Sequence, residues 1–190
     1  AETMVLLGIG LVFFFQAMLA LIQYRSSAEA LQQIVYWSMG SLTRANWAAN
    51  GVLAAVLIIA LPILWVLGWR LTALRLGDAR ATAMGINTSR LRVVVLIVVS
   101  LVAATTVAFA GIIGFIGLVG PHIARMLVGE DQRYFLPASM AAGAAVMCAA
   151  HAVSLMIKPG LAIPIGIVTS LLGVPFFIAI VMTRRRALWT

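Results

Sequence analysis

An all-α membrane protein is expected, with about six transmembrane helices, a short helix on the outer surface and short helices in one cytoplasmic loop. Three observations predict it. Of 190 residues, 64% are hydrophobic and only 9% charged, against about 45–50% and about 25% in an ordinary soluble domain. Mean hydropathy is +1.12. Uncharged runs close to the roughly 20 residues that a bilayer requires recur along the chain. These values exclude a soluble enzyme, a disordered tail and a nucleic-acid-binding domain, despite a pI near 11.3. The net charge of +8, from 13 basic and 5 acidic residues, marks loops on the cytoplasmic side of a membrane. The one cysteine, Cys148, excludes a disulfide within the chain and is expected as a small buried side chain.

The first span is expected over about 4–24, with Gln16 its one strongly polar member before Gln23. The chain starts at Ala1 and is hydrophobic by Met4 with no basic lead, unlike a signal peptide. The sequence is therefore expected to be part of a longer membrane protein. Ser26 followed by Glu29 fits a capping box opening a helix over 27–42. Leu31, Ile34, Val35 and Leu42 then share one face, with Tyr36 and Trp37 at headgroup depth. The second span is expected over 47–69, with Pro62 tolerated inside it.

The 32 residues from Val93 to Ala124 carry no formal charge. That is long for one crossing and short for two. One crossing divides the basic residues 6 against 7; two crossings, with a turn near Gly111, divide them 10 against 3. Positive residues concentrate on the cytoplasmic side, so two crossings are expected, over 93–110 and 112–128. Arg125 would reach the interface with its long side chain. The last spans are expected over 136–157 and 164–183, which places both ends of the chain in the cytoplasm.

Little here can carry covalent chemistry. There is no phosphate-binding loop of the Walker type, so ATP hydrolysis by this chain is not expected. No acids pair, and His122 and His151 lack the neighbours a metal site needs. No cofactor or metal is expected. His151 lies within a span, where a neutral imidazole bonded to another helix is the simpler reading. Gly111, Gly114, Gly117 and Gly120 recur every third residue. In a helix they would form a stripe for close packing; they would also permit a tight turn, or line a permeation path. The loop 76–89 is long enough for one or two short helices. Asp78 would stand near a helix start, Gly85 would end that helix and Asn87 would open the next. The apolar faces of such helices need a cover, either lipid headgroups or a partner protein.

Four segments are similar to one family. Gly77-Asp-Ala-Arg-Ala-Thr-Ala-Met-Gly-Ile-Asn87 resembles the cytoplasmic loop of permease subunits of the iron-chelate (siderophore), haem and cobalamin family of bacterial ABC importers. So do Gly114-Phe-Ile-Gly-Leu-Val-Gly-Pro-His-Ile-Ala-Arg125 with its continuation to Ser139, Ile163 to Phe177, and Tyr36 to Leu42. They occur in family order and cover nearly the whole chain.

The resemblance implies spans five to ten of a ten-span permease that works in pairs in the bacterial inner membrane, the outer-surface helix being periplasmic. It implies an importer of an iron–siderophore complex or haem, driven by a separate ATP-binding subunit. Gly77, Asp78, Arg80, Ala81, Met84, Gly85, Ile86 and Asn87 would form the ATPase-coupling helices. The first span would line the translocation path through Gly8, Leu11 and Gln16. A periplasmic substrate-binding protein would dock on basic residues, for which Arg25, Arg44 and Lys158 are the candidates. The expected partners are thus the ATP-binding subunit, a second permease copy or homologue, the binding protein and the lipid bilayer, with no nucleic acid. The chain departs from the family at His151, where an acid is frequent, and at Leu155, where cobalamin permeases carry a basic residue. This favours an iron chelate or haem over cobalamin. The competing classes are a secondary transporter or channel, which normally shows intramembrane acids, and a membrane scaffold, which leaves the loop unexplained.

Overall fold

The computed structural model describes residues 2–157 and 163–186, which form eight α-helices. The chain divides into two units, residues 1–38 and 39–190.

The first unit holds α1 (Glu2–Arg25) and α2 (Ala28–Ser38). The apolar run makes α1 a 24-residue helix, about 36 Å at the α-helical rise. Most of the large side chains described along it stand exposed within the chain, Phe13 and Phe15 among them, and Leu19 is half-buried. The cap of α2 is Ser27, not Ser26. The Ser27 hydroxyl accepts from the Ala30 N–H at 3.3 Å, while the Ser26 hydroxyl bonds back to the Ile22 carbonyl. The Glu29 carboxyl is held below its ordinary range by its own backbone N–H and then by the Ser27 hydroxyl. The helix stops at Ser38, four residues short of the expected end.

The second unit explains that stop. Met39 and Gly40 turn their carbonyls to the N–H groups of Gly166 and Ile165, at 3.0 and 3.2 Å, and Ser41 N–H bonds to the Ala110 carbonyl at 2.8 Å. Leu42, expected on the face of α2, instead packs with Ala150, Ile165 and Val168.

The remaining helices are α3 (Trp47–Leu74), α4 (Asp78–Ala83), α5 (Thr88–Ala110), α6 (Ile116–Val128), α7 (Gln132–Ile157) and α8 (Ile165–Arg186). Asn46 caps α3, accepting from Ala49 N–H at 2.8 Å. The helix runs past Trp69 because no breaker intervenes before Gly77. Similarly, α5 starts at Thr88, ahead of its uncharged run, because Asn87 caps it. Among the described residues, four helices (α1, α3, α5 and α7) are long and apolar enough to cross a membrane.

The expected span 112–128 is a 13-residue helix, about 20 Å, preceded by a non-helical link. Gly111 ends α5 at φ 76°, and Phe115 precedes α6 at φ 66°, unusual for a residue with a side chain. The Gly111–Gly120 stripe is therefore broken. Gly111 and Gly114 lie in the link, and Gly117 and Gly120 in the helix. Irregular backbone at this depth is tolerated where protein covers it. Here Gly111 is buried and 113–116 half-buried.

The connections sort to two ends. At one, the Gln132 N–H bonds to Thr72 Oγ1 at 3.2 Å, and Arg75 pairs with Glu130. This end gathers the last turns of α3 and α6, all of α4, and the first turns of α5 and α7. The other gathers 39–42, 110–113 and 163–166. The chain thus reverses between α5 and α6.

Candidate functional site

The α3–α5 connection is built as a compact unit. Gly77 precedes α4 at φ 100°. The helix ends in a Schellman motif: Ile86 N–H bonds to the Ala81 carbonyl at 3.1 Å and Gly85 N–H to Thr82 at 2.9 Å. The motif needs a left-handed residue, and Gly85 supplies it at φ 78°. Asn87 then accepts from Arg90 N–H at 2.9 Å and opens α5. Asp78, Gly85 and Asn87 thus stand at the helix start, helix end and next helix start that their types suggested.

Inside this unit, Ala81 and Ile86 are buried against Ala73 and Leu91. Outside it, Arg80 is exposed, Met84 is 49% exposed and the preceding Leu76 is 56% exposed. The eight residues expected to contact a partner therefore divide by role. Ala81 and Ile86 hold the unit together, Gly77 and Gly85 set its backbone, and Asp78 and Asn87 fix its orientation. Arg80 and Met84 present side chains outward.

Ion pairs tie it to its neighbours. Arg92 Nη2 donates to both oxygens of Asp78, at 2.7 and 2.9 Å, joining α4 to α5. Glu130 pairs with Arg75 of the α3 end and, at 3.4 Å, with Arg125 of α6. Arg125 also lies over the Phe135 ring, 5.8 Å from its centre. Sequence reasoning missed the Glu130 pairs, because Arg75 stands far away along the chain and nothing local signals it.

The other candidates lie elsewhere. Gly8, Leu11 and Gln16 are exposed on α1, and no atom outside α1 would meet a Cβ at Gly8. Gly120 approaches the Gly143 backbone of α7 so closely that a Cβ would stand 3.1 Å from its Cα. A Cβ at Gly117 would meet nothing within 4 Å, and one at Gly114 only Ser170 Oγ at 3.7 Å. Arg25 closes α1 in the first unit, and Arg44 precedes α3 in the second. Lys158 falls outside the described residues. His122 stacks edge-on against Phe176 with centroids 5.6 Å apart, and His151 is half-buried in α7. Cys148, expected buried, is exposed. In a membrane chain an apolar position can face lipid or another helix, so lack of charge does not imply an interior place.

The sequence matches the profile of the FecCD transport family over residues 1–183. The chain belongs to the FecCD transport family. This FecCD chain is 35% identical over 183 residues to the hemin transport system permease protein HmuU of Yersinia pestis, covering 96% of this chain and 54% of that one. It is 36% identical over 184 residues to the molybdate import system permease protein MolB of Haemophilus influenzae, covering 96% and 54%. A solved inward-facing structure, of a transporter assigned to the metal-chelate type of ABC transporter, superposes with a TM-score of 0.89 at 36% identity, covering 94% of this chain and 58% of that chain. The chain spans about half the length of the curated relatives it matches.

Proposed function

We propose that this FecCD-family chain belongs to the permease subunit of an ABC importer in the bacterial inner membrane. The arginine-rich end faces the cytoplasm by the positive-inside rule. A separate ATP-binding subunit docks on α4 there, and that subunit, not this chain, hydrolyses ATP. A second permease copy completes the path beside α1. A substrate-binding protein delivers an iron chelate or haem on the opposite side, with Arg25 and Arg44 among its contacts.

One observation carries this reading: the α4 connection is a preformed unit with an exposed apolar and basic face. Met84, Leu76 and Arg80 need a cover. Buried Ala81 and Ile86 make the unit stiff enough to be moved as one piece. Movement of α4 would pass to α5 through Asp78–Arg92. It would pass to α6 and α7 through the chain end of α3 and the Arg75–Glu130–Arg125 pairs. Helices then rock as rigid bodies. The walls need no high-affinity site, because tight holding slows release.

Co-purification tests it. The full-length permease is expressed with its neighbouring ATPase, as wild type and with Asp78→Lys or Gly85→Val. The expected result is a complex retained by wild type and lost in the variants, with the lone permeases still monodisperse. A complex unaffected by either substitution contradicts the docking role.

A further inference from the structure

We propose that the cleft between α3 and α5 at the arginine-rich end binds the phosphodiester headgroup of an anionic phospholipid. The cleft encloses about 450 Å³, and its lining includes Arg70, Arg90 and Asn87 together with Leu67, Leu91 and Val94. Its chemistry changes along the helix axes. Leu67 lies one turn closer than Arg70 to the middle of α3, and Val94 one turn closer than Arg90 to the middle of α5. The wall facing the membrane interior is apolar and the rim is cationic, as an acyl chain below a phosphate requires.

Depth agrees with this. At 28 residues α3 is about 42 Å long, more than the roughly 30 Å of hydrocarbon. Its uncharged run ends at Arg70, and α5 carries no charge beyond Arg92. Both cleft arginines therefore sit at the boundary between hydrocarbon and headgroups. Trp69, 44% exposed, shares the cleft, with the Arg70 guanidinium 5.5 Å from its ring centre. Tryptophan favours that depth.

The charge is available. Arg75 and Arg125 are engaged by Glu130, and Arg92 by Asp78. Neither Arg70 nor Arg90 pairs with a carboxylate among the described residues. A guanidinium fork matches two phosphate oxygens, and basic clefts between helices on the cytoplasmic side suit acidic headgroups. A soluble partner would leave the half-buried Leu67 and Val94 without a cover below headgroup level. The inference rests on α3 and α5 crossing the membrane with this end cytoplasmic, and not on the ATPase or the cargo.

The test is native mass spectrometry of the full-length permease in mild detergent, titrated with phosphatidylglycerol. Each arginine at an anionic surface is worth about fivefold in affinity, so R70A/R90A should bind about thirtyfold more weakly than wild type. Arg80→Ala, on α4 and outside the cleft, should bind as wild type. If the double variant does not fold, judged by thermal unfolding, Arg70→Gln alone carries the test with about a fivefold loss. Equal retention of the lipid by wild type and a folded variant overturns the proposal. So does its displacement by millimolar inorganic phosphate, which would mark a soluble-anion site. Loss of the ATPase subunit from R70A/R90A with phosphatidylglycerol binding intact would assign the cleft to a protein partner and equally overturn it.

Discussion

The two ends of the second unit are held by different chemistry. At the arginine-rich end, helix caps, a Schellman turn and half-exposed ion pairs join α3, α4, α5, α6 and α7. At the opposite end the described residues carry little charge, with Arg44 in the connection before α3. Backbone N–H groups of 165 and 166 bond to the carbonyls of Gly40 and Met39, and Ser154 Oγ donates to the Ile163 carbonyl at 2.5 Å. Glycines there permit contact between backbones. A Cβ at Gly40 would stand 2.8 Å from the Ile112 carbonyl oxygen, one at Gly166 would strike the Met39 carbonyl, and one at Gly173 would strike the Phe115 ring. The first end is joined through side chains that water can compete for. The second is joined through close backbone contact that tolerates almost no added atom. One is suited to meeting changing partners, the other to acting as a fixed pivot.

The sharpest way to break this contrast is at Gly166 and Gly173. Gly166→Ala forces a methyl group against backbone and should cost at least the roughly 1–3 kcal/mol of an overpacked core, read as a lowered thermal midpoint and a reduced yield of folded protein. Gly173→Ala should be of similar size. Unlike Gly166→Ala, it should be largely rescued by Phe115→Gly, which removes the opposing ring and relieves the left-handed backbone at 115. Equal rescue of both glycine variants would erase the distinction between ring contact and backbone contact.

A middle-sized effect is expected at the other end. Gly85→Ala meets open space but must adopt φ 78°, costing about 1–2 kcal/mol. The cost should appear as faster hydrogen exchange over 78–86 with the thermal midpoint of the rest little changed. Glu130→Gln should be smaller. Its ion pairs are 39–51% exposed, and exposed pairs are worth about 0–1 kcal/mol. Its effect on proteolysis of the α6–α7 link should fade with added salt, whereas that of Gly166→Ala should not.

The smallest effect is at Glu29. Its folded carboxyl titrates below the ordinary value of about 4.3. The stabilisation of α2 is therefore present above that value and lost as pH falls through the lowered one. Glu29→Gln should reduce α2 protection slightly at pH 7 and make no difference at about pH 2.

Much of this arrangement is legible in the sequence, for identifiable reasons. Long uncharged runs dictate helices, and the asymmetry of arginines suggests a reversal near Gly111. Asp78, Gly85 and Asn87 act through local backbone chemistry, so their types reveal their positions. Contacts across the fold were not legible. Glu130 meets Arg75 only after α3 and α7 are placed side by side, and no periodicity announces that Gly173 receives the Phe115 ring. The short α6 was hidden because hydropathy is blind to backbone conformation, so apolar residues 112–115 look helical. Cys148 misled because apolar residues in a membrane chain face outward as readily as inward.

The measurement that bears most directly on the account is site-specific cross-linking of the full-length permease to its ATPase, in a Cys148→Ser background because Cys148 is exposed. A cysteine replacing Met84, at the outward face of α4, should cross-link efficiently. A cysteine replacing Ile112, at the opposite end, should not. Cross-linking from position 112, or none from 84 in an assembled complex, would contradict the assignment of the arginine-rich end as the ATPase-docking end.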